Sequence, residues 1–255
     1  MASAMLLVGA VGVNSGVSAA DKTEIHFDSA TMADDPEFCE RFNYFSTKEV
    51  PELGKLENRT RYMSIISALL GCQGADEFKS VLNVALDDGL KPVEAKEIIY
   101  QATAYLGIGR TKPFLIASNE VMRAKKIKLP LESQSTTTLE NRREMGTAKQ
   151  VELFGEQMKD FWKSSDINYM LAANCFGDYY TRTGLSNKDR ELITFCFIAA
   201  QGGCENQLIA HTAANFKQGN DAEFLRNVVT EIQPYIGYPR SLNALAIIKQ
   251  VSEKK

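Results

Sequence analysis

Histidine is almost missing from this chain: 255 residues contain two, His26 and His211. A metal centre built from several imidazoles of one chain is therefore excluded, and no metal is expected. The five cysteines, Cys39, Cys72, Cys175, Cys196 and Cys204, are odd in number and none pair at CxxC spacing. They signal neither a disulfide framework nor a zinc site. Excess charge is missing too. A net charge of -3 gives no nucleic-acid signature. The short basic cluster from Arg123 to Lys128 is explained by a solvated helix end followed by a loop. No segment alternates apolar and polar residues as a half-buried strand does. That leaves an all-α chain.

What is present suits a globular protein with a sizeable core: 44% of residues are hydrophobic and 24% charged. The N-terminus stands apart. Leu6 to Val13 is apolar but too short to span a bilayer. It runs into Val17-Ser18-Ala19-Ala20-Asp21, whose small residues suit a signal-peptidase cut, although the basic start of a leader is missing. Residues 1–20 are therefore expected to be a secretory leader and the protein to be periplasmic or secreted. If the run is not a signal, the chain is cytoplasmic.

Helix signals follow in order. Asp34-Asp35-Pro36 resembles a helix start. Arg59 to Leu70 reads as an apolar helix, Ala75 to Leu86 as a second. Pro92 opens a third through Leu106, stopped at Gly107. Residues 128–146, with Pro130 and the polar run Ser133 to Thr138, read as a linker. Beyond it lie two amphipathic candidates, Val151 to Trp162 and Ile167 to Tyr180. Ser186 with Asp189 forms a capping box for a helix over Arg190 to Ala200. Asn220 with Glu223 suggests another box, leading into Phe224 to Ile236, where Pro234 should kink the last turn.

The two halves echo each other. Leu70-Gly71-Cys72 superposes on Gly202-Gly203-Cys204 at an offset of 132, and Tyr105 to Arg110 on Tyr235 to Arg240 at 130. Such self-similarity predicts two copies of one helical unit, over 21–127 and 147–255, packed as a pseudo-dimer. The copies are chemically unequal. Where the second has Gln207 and His211, the first has Ala75 and Lys79, and Glu191 is matched by Arg59. The first unit thus lacks the histidine, and its site reads as degenerate.

The stretch from Gly202 to His211 carries the chemistry. If its helix starts at Cys204, then Cys204, Gln207 and His211 stand at i, i+3 and i+7 on one face. The plainer alternative is a packed thiol and a merely hydrogen-bonded imidazole. A thiol at a helix N-terminus is also a candidate reactive thiolate.

With its Gly-Gly-Cys-Glu-Asn-Gln-Leu-Ile-Ala-His run and, a helix later, Pro234-Tyr-Ile-Gly-Tyr-Pro-Arg-Ser-Leu-Asn-Ala-Leu245, the second half resembles the carboxymuconolactone decarboxylase and alkylhydroperoxidase-D-like family. The first half is similar to a diverged copy, through Pro92-Val93-Glu94-Ala95-Lys96-Glu97. The resemblance implies an all-α fold whose units form rings, so a two-unit chain would assemble as a trimer. The peroxidase branch carries Cys-x-x-Cys before its histidine. Gln207 occupies the second cysteine position here, which sides with the decarboxylases, enzymes that act without cofactor on a carboxylated lactone.

The resemblance makes His211, Cys204 and Glu191 the expected catalytic set, although Glu191 stands thirteen positions before Cys204, one more than the two-cysteine branch suggests. Gln207 and Arg240 are candidates to hold the substrate, a small molecule. His211 would protonate the carbanion left by loss of carbon dioxide. Two alternatives stand beside this lyase reading: a single-cysteine thiol peroxidase using Cys204, with peroxiredoxin-like activity, and a non-catalytic binding or scaffold protein.

Overall fold

The computed structural model describes residues 27–253. The expected leader over residues 1–20 lies outside them. Among the described residues there is no strand, and no helix is long and apolar enough to cross a membrane. The all-α expectation holds.

Three short helices come first: α1 (Ser29–Asp34), capped by the Asp28 carboxylate, α2 (Pro36–Tyr44), opened by Pro36 as expected, and α3 (Val50–Gly54). The first long set is α4 (Asn58–Cys72), α5 (Ala75–Asp87), α6 (Pro92–Leu106) and α7 (Ile108–Ala124). Then come α8 (Arg142–Phe154), α9 (Asp166–Met170) and, directly after it, a π-helical stretch over Leu171–Tyr180. The chain closes with α10 (Asn187–Gln201), α11 (Glu205–Lys217) and α12 (Ala222–Ser252).

The centre of the molecule is α4 against α10. Both are buried on almost every face, polar residues such as Arg61, Arg190 and Glu191 included, which is why neither shows an amphipathic stripe. Gly71 permits their close approach, since a Cβ there would meet Phe197 O and Ala200 Cβ at 2.7 Å. Other helices cross between the halves. Gln101 of α6 hydrogen-bonds to Arg190 O and Thr194 Oγ1 of α10, and Glu231 of α12 pairs with Arg61 of α4 at 3.0 Å.

Several boundaries differ from expectation. The expected linker is non-helical only up to Asn141, and α8 begins inside it at Arg142. It is also tied down: Thr136 and Thr137 donate to Thr181 O and Gly177 O, and Gln134 O accepts from Thr183 N. The helix expected over Val151 to Trp162 starts nine residues earlier and stops at Gly155, whose φ of 113° favours glycine. The Ser186–Asp189 box forms as expected, whereas α12 is capped by Asp221, not Asn220. Helical dihedrals continue through Pro234. The break falls at Gly237, at φ 77°.

One close approach prepares the site. A Cβ on Gly146 of α8 would run into Ala172 O and come within 2.6 Å of Gly177 N. Two glycines thus let α8 lie backbone to backbone on the π-helical stretch. This pair carries Leu153, Phe154, Cys175, Phe176 and Tyr180 as a small core of its own over α11.

Candidate active site

Glu191 and His211 meet. His211 Nδ1 lies 2.7 Å from Glu191 Oε2, with the carboxylate fully buried and the imidazole 8% exposed. Neighbouring helices fix the spacing. Asn215 of α11 donates both to Glu191 O on α10 and to His211 O, and Asn220 in turn donates to Asn215 Oδ1. A carboxylate only accepts, so the proton of this bond sits on Nδ1. Nε2 is then the nitrogen that can exchange a proton with anything else. The other carboxylate oxygen, Oε1, is buried and has no hydrogen-bond partner among the described residues.

Around the imidazole the walls are aromatic. Phe154 and Tyr105 present edge-on contacts, with ring centroids 5.7 and 5.5 Å away. Tyr105 comes from the end of α6, in the other half of the chain. Its hydroxyl is 3.5 Å from His211 Nε2 and shares a 2.8 Å bond with Tyr180, whose own hydroxyl shares one with Thr194. Burial pushes both tyrosine hydroxyls well above their usual pKa, and the Glu191 charge adds to this. Burial likewise pushes the Cys175 thiol up to about 12. The pocket therefore holds one carboxylate and one imidazole among groups that stay neutral.

The other expected residues stand elsewhere. Cys204 is not the first residue of the helix but its N-cap, with φ −133° and ψ 42°. Reckoning one helical face from it therefore fails. Its Sγ accepts from Gln201 Nε2 at 3.0 Å, and it shares a narrow cavity with Gly202, Leu208, Arg240 and Asn243. Gln207 is exposed. So within one chain Glu191 and His211 converge, Cys204 and Arg240 form a second group, and Gln207 belongs to neither. Among the described residues no three metal-binding side chains cluster.

Sequence reasoning missed Tyr105 and Tyr180 as members of the site. In the sequence Tyr105 marks only the repeat, and nothing sets Tyr180 apart from a packing aromatic. Gln150, one turn before Phe154 on α8, is fully buried and leaves both amide atoms without partners among the described residues.

The half-exposed Cys204 and the buried Cys175 and Cys196 should differ in reactivity. Burial raises the Cys196 thiol to about 12 as well. Iodoacetamide at pH 8, followed by peptide mass mapping, is expected to label Cys204 in the native protein and to spare Cys175 and Cys196 until it is denatured. Equal labelling of all three would show that the cores around them open.

Residues 166–250 match the model of the carboxymuconolactone decarboxylase family. The 4-carboxymuconolactone decarboxylase of Acinetobacter baylyi is 28% identical over 113 residues, 44% of this chain and 82% of that protein. A crystal structure of a candidate gamma-carboxymuconolactone decarboxylase subunit from Burkholderia xenovorans LB400 shares the fold. Its TM-score is 0.54 at 18% identity, over 94% of this chain and 93% of that one. The matched segment of the second half carries both Glu191 and His211.

Proposed function

We propose that the protein is a cofactor-free lyase that removes carbon dioxide from a small carboxylated lactone, 4-carboxymuconolactone or a close analogue. The observation that carries this reading is the buried Glu191–His211 pair inside the segment that matches the family. In the reaction the C–C bond to the carboxylate breaks and carbon dioxide leaves. The electron pair is left spread over the conjugated lactone as a dienolate, and one carbon of that system takes a proton, which His211 Nε2 would supply. Glu191 holds Nδ1 and stabilises the charged ring before transfer, and Tyr105 is the hydroxyl facing the delivering nitrogen. The test is direct: the purified chain is given 4-carboxymuconolactone and carbon dioxide release is followed. Release no faster than the uncatalysed blank would sink the reading.

The thiol-peroxidase alternative draws support from one contact, the Gln201 amide donating to Cys204 Sγ. It lacks a nearby base, since His211 is engaged elsewhere.

The proposal extends to assembly as a ring of three chains. Ile108 and Ile116 of α7 and Tyr238 and Leu242 of α12 are large apolar side chains, each about half exposed or more. Side chains of this kind suit a subunit interface. Light scattering should give a mass near three chains, and a monomer at micromolar concentration would contradict it.

A further inference from the structure

A second place in the molecule has the make-up of a binding site and no part in the chemistry above. Lys96, on α6, is 4% exposed and forms no ion pair among the described residues. Its ammonium donates to Ser118 Oγ at 2.7 Å and to Asn119 Oδ1 at 2.6 Å, both neutral groups on α7. An ammonium has three donors, so one is left over. A buried cation without a counter-ion is costly. Burial, helped by nearby Arg123, brings the lysine down to about 8. Perturbed, desolvated groups of this kind beside a cleft cluster at binding sites.

Lys96 also borders open space. A cleft of about 480 Å³ runs between α6, α7 and the tether, lined by Lys96, Tyr100, Asn119, Arg123 and the apolar run Leu129 to Leu131, with Leu115 beneath. No carboxylate lines it. A neighbouring cleft of about 420 Å³ shares Lys96, Tyr100 and Leu131. Of its two acids, Glu97 is engaged by Arg182 and Arg190, and Glu132 is exposed. Volumes of this size are those of small-ligand sites, about 300–1,000 Å³. The lining combines two cations with an aromatic ring and leucines, which fits an anion with an apolar body better than a bare inorganic one.

We propose that this cleft binds a small organic carboxylate, its charge held by Lys96 and Arg123 and its apolar part against Tyr100, Leu115 and Leu131. The inference is independent of the decarboxylase reading, because it uses no residue of the Glu191–His211 pocket.

Calorimetric titration of the full chain at pH 7 tests it, with benzoate as the probe and neutral benzamide as control. Benzoate should bind at least tenfold more tightly than benzamide. Lys96→Gln should weaken benzoate at least tenfold, and His211→Ala should leave it unchanged. Should Lys96→Gln fail to fold, Arg123→Gln at an exposed position should still weaken benzoate severalfold. Equal binding of benzoate and benzamide would overturn the proposal. So would benzoate affinity untouched by both substitutions, or lost with His211→Ala. Displacement of benzoate by equimolar inorganic phosphate would also overturn it, because a charge-only site needs no apolar wall.

Discussion

Replacing His211 with alanine is expected to lower the rate of carbon dioxide release by about 10²–10⁴-fold, the usual contribution of a positioned general acid. The far-UV circular dichroism should remain helical, because the imidazole contacts side chains rather than the backbone ladder. Glu191→Gln tests the other half of the pair. An amide in place of Oε2 can present its N–H to the ring and favour the wrong tautomer, a loss on the order of 10²-fold. Because the two residues act as one unit, the double variant should be no slower than His211→Ala alone. Additive losses would mean that Glu191 works on the substrate directly, through its unpartnered Oε1. A His211→Ala protein with full turnover would remove the imidazole from the reaction altogether.

Arg190, one residue before Glu191, should give the largest loss of stability. Its guanidinium is fully buried and donates to Gln101 Oε1, Glu97 Oε2, Arg182 O and Thr183 O. Those partners sit on α6 and on the segment leading to α10, so one side chain ties together three parts of the fold. Arg190→Met keeps the apolar stem but leaves an amide oxygen, two carbonyls and part of a carboxylate without a donor. Breaking such a buried arrangement costs about 3–5 kcal/mol. At roughly 2–4 °C per kcal/mol for a chain of this size, the midpoint of thermal unfolding should fall by about 6–20 °C. Arg59 supplies the contrast. It too pairs with carboxylates, Asp189 and Glu94, but its side chain is 34% exposed, so Arg59→Gln should cost no more than about 1 kcal/mol. If the two substitutions lower the midpoint equally, burial is not what makes Arg190 matter.

Helices with strong local signals were legible in the sequence. Pro92 and Gly107 bound α6 at both ends, and Ser186 with Asp189 marks the start of α10 to the residue. Of helix α7 only the end near Arg123 was foreseen. Gly107 reads as a stop, and Pro113 lies inside the helix, so local signals argued against what packing on α5 and α6 enforces. The site was half legible. His211 stood out by rarity and Glu191 by resemblance, and they meet. Cys204 was grouped with His211 on a helical face, yet the helix begins one residue too late for that reckoning. Tyr105 belongs to the pocket only through tertiary contacts, across a gap of 106 residues to His211, which no local pattern records.

The position of Tyr105 bears on how freely this chain can change. The first half has no counterpart of His211, yet its third long helix ends in the ring that packs edge-on against that imidazole. Shortening α6 by a single turn would uncover the imidazole to water. The length of α6 is therefore tied to the surroundings of an imidazole 106 residues further along the chain.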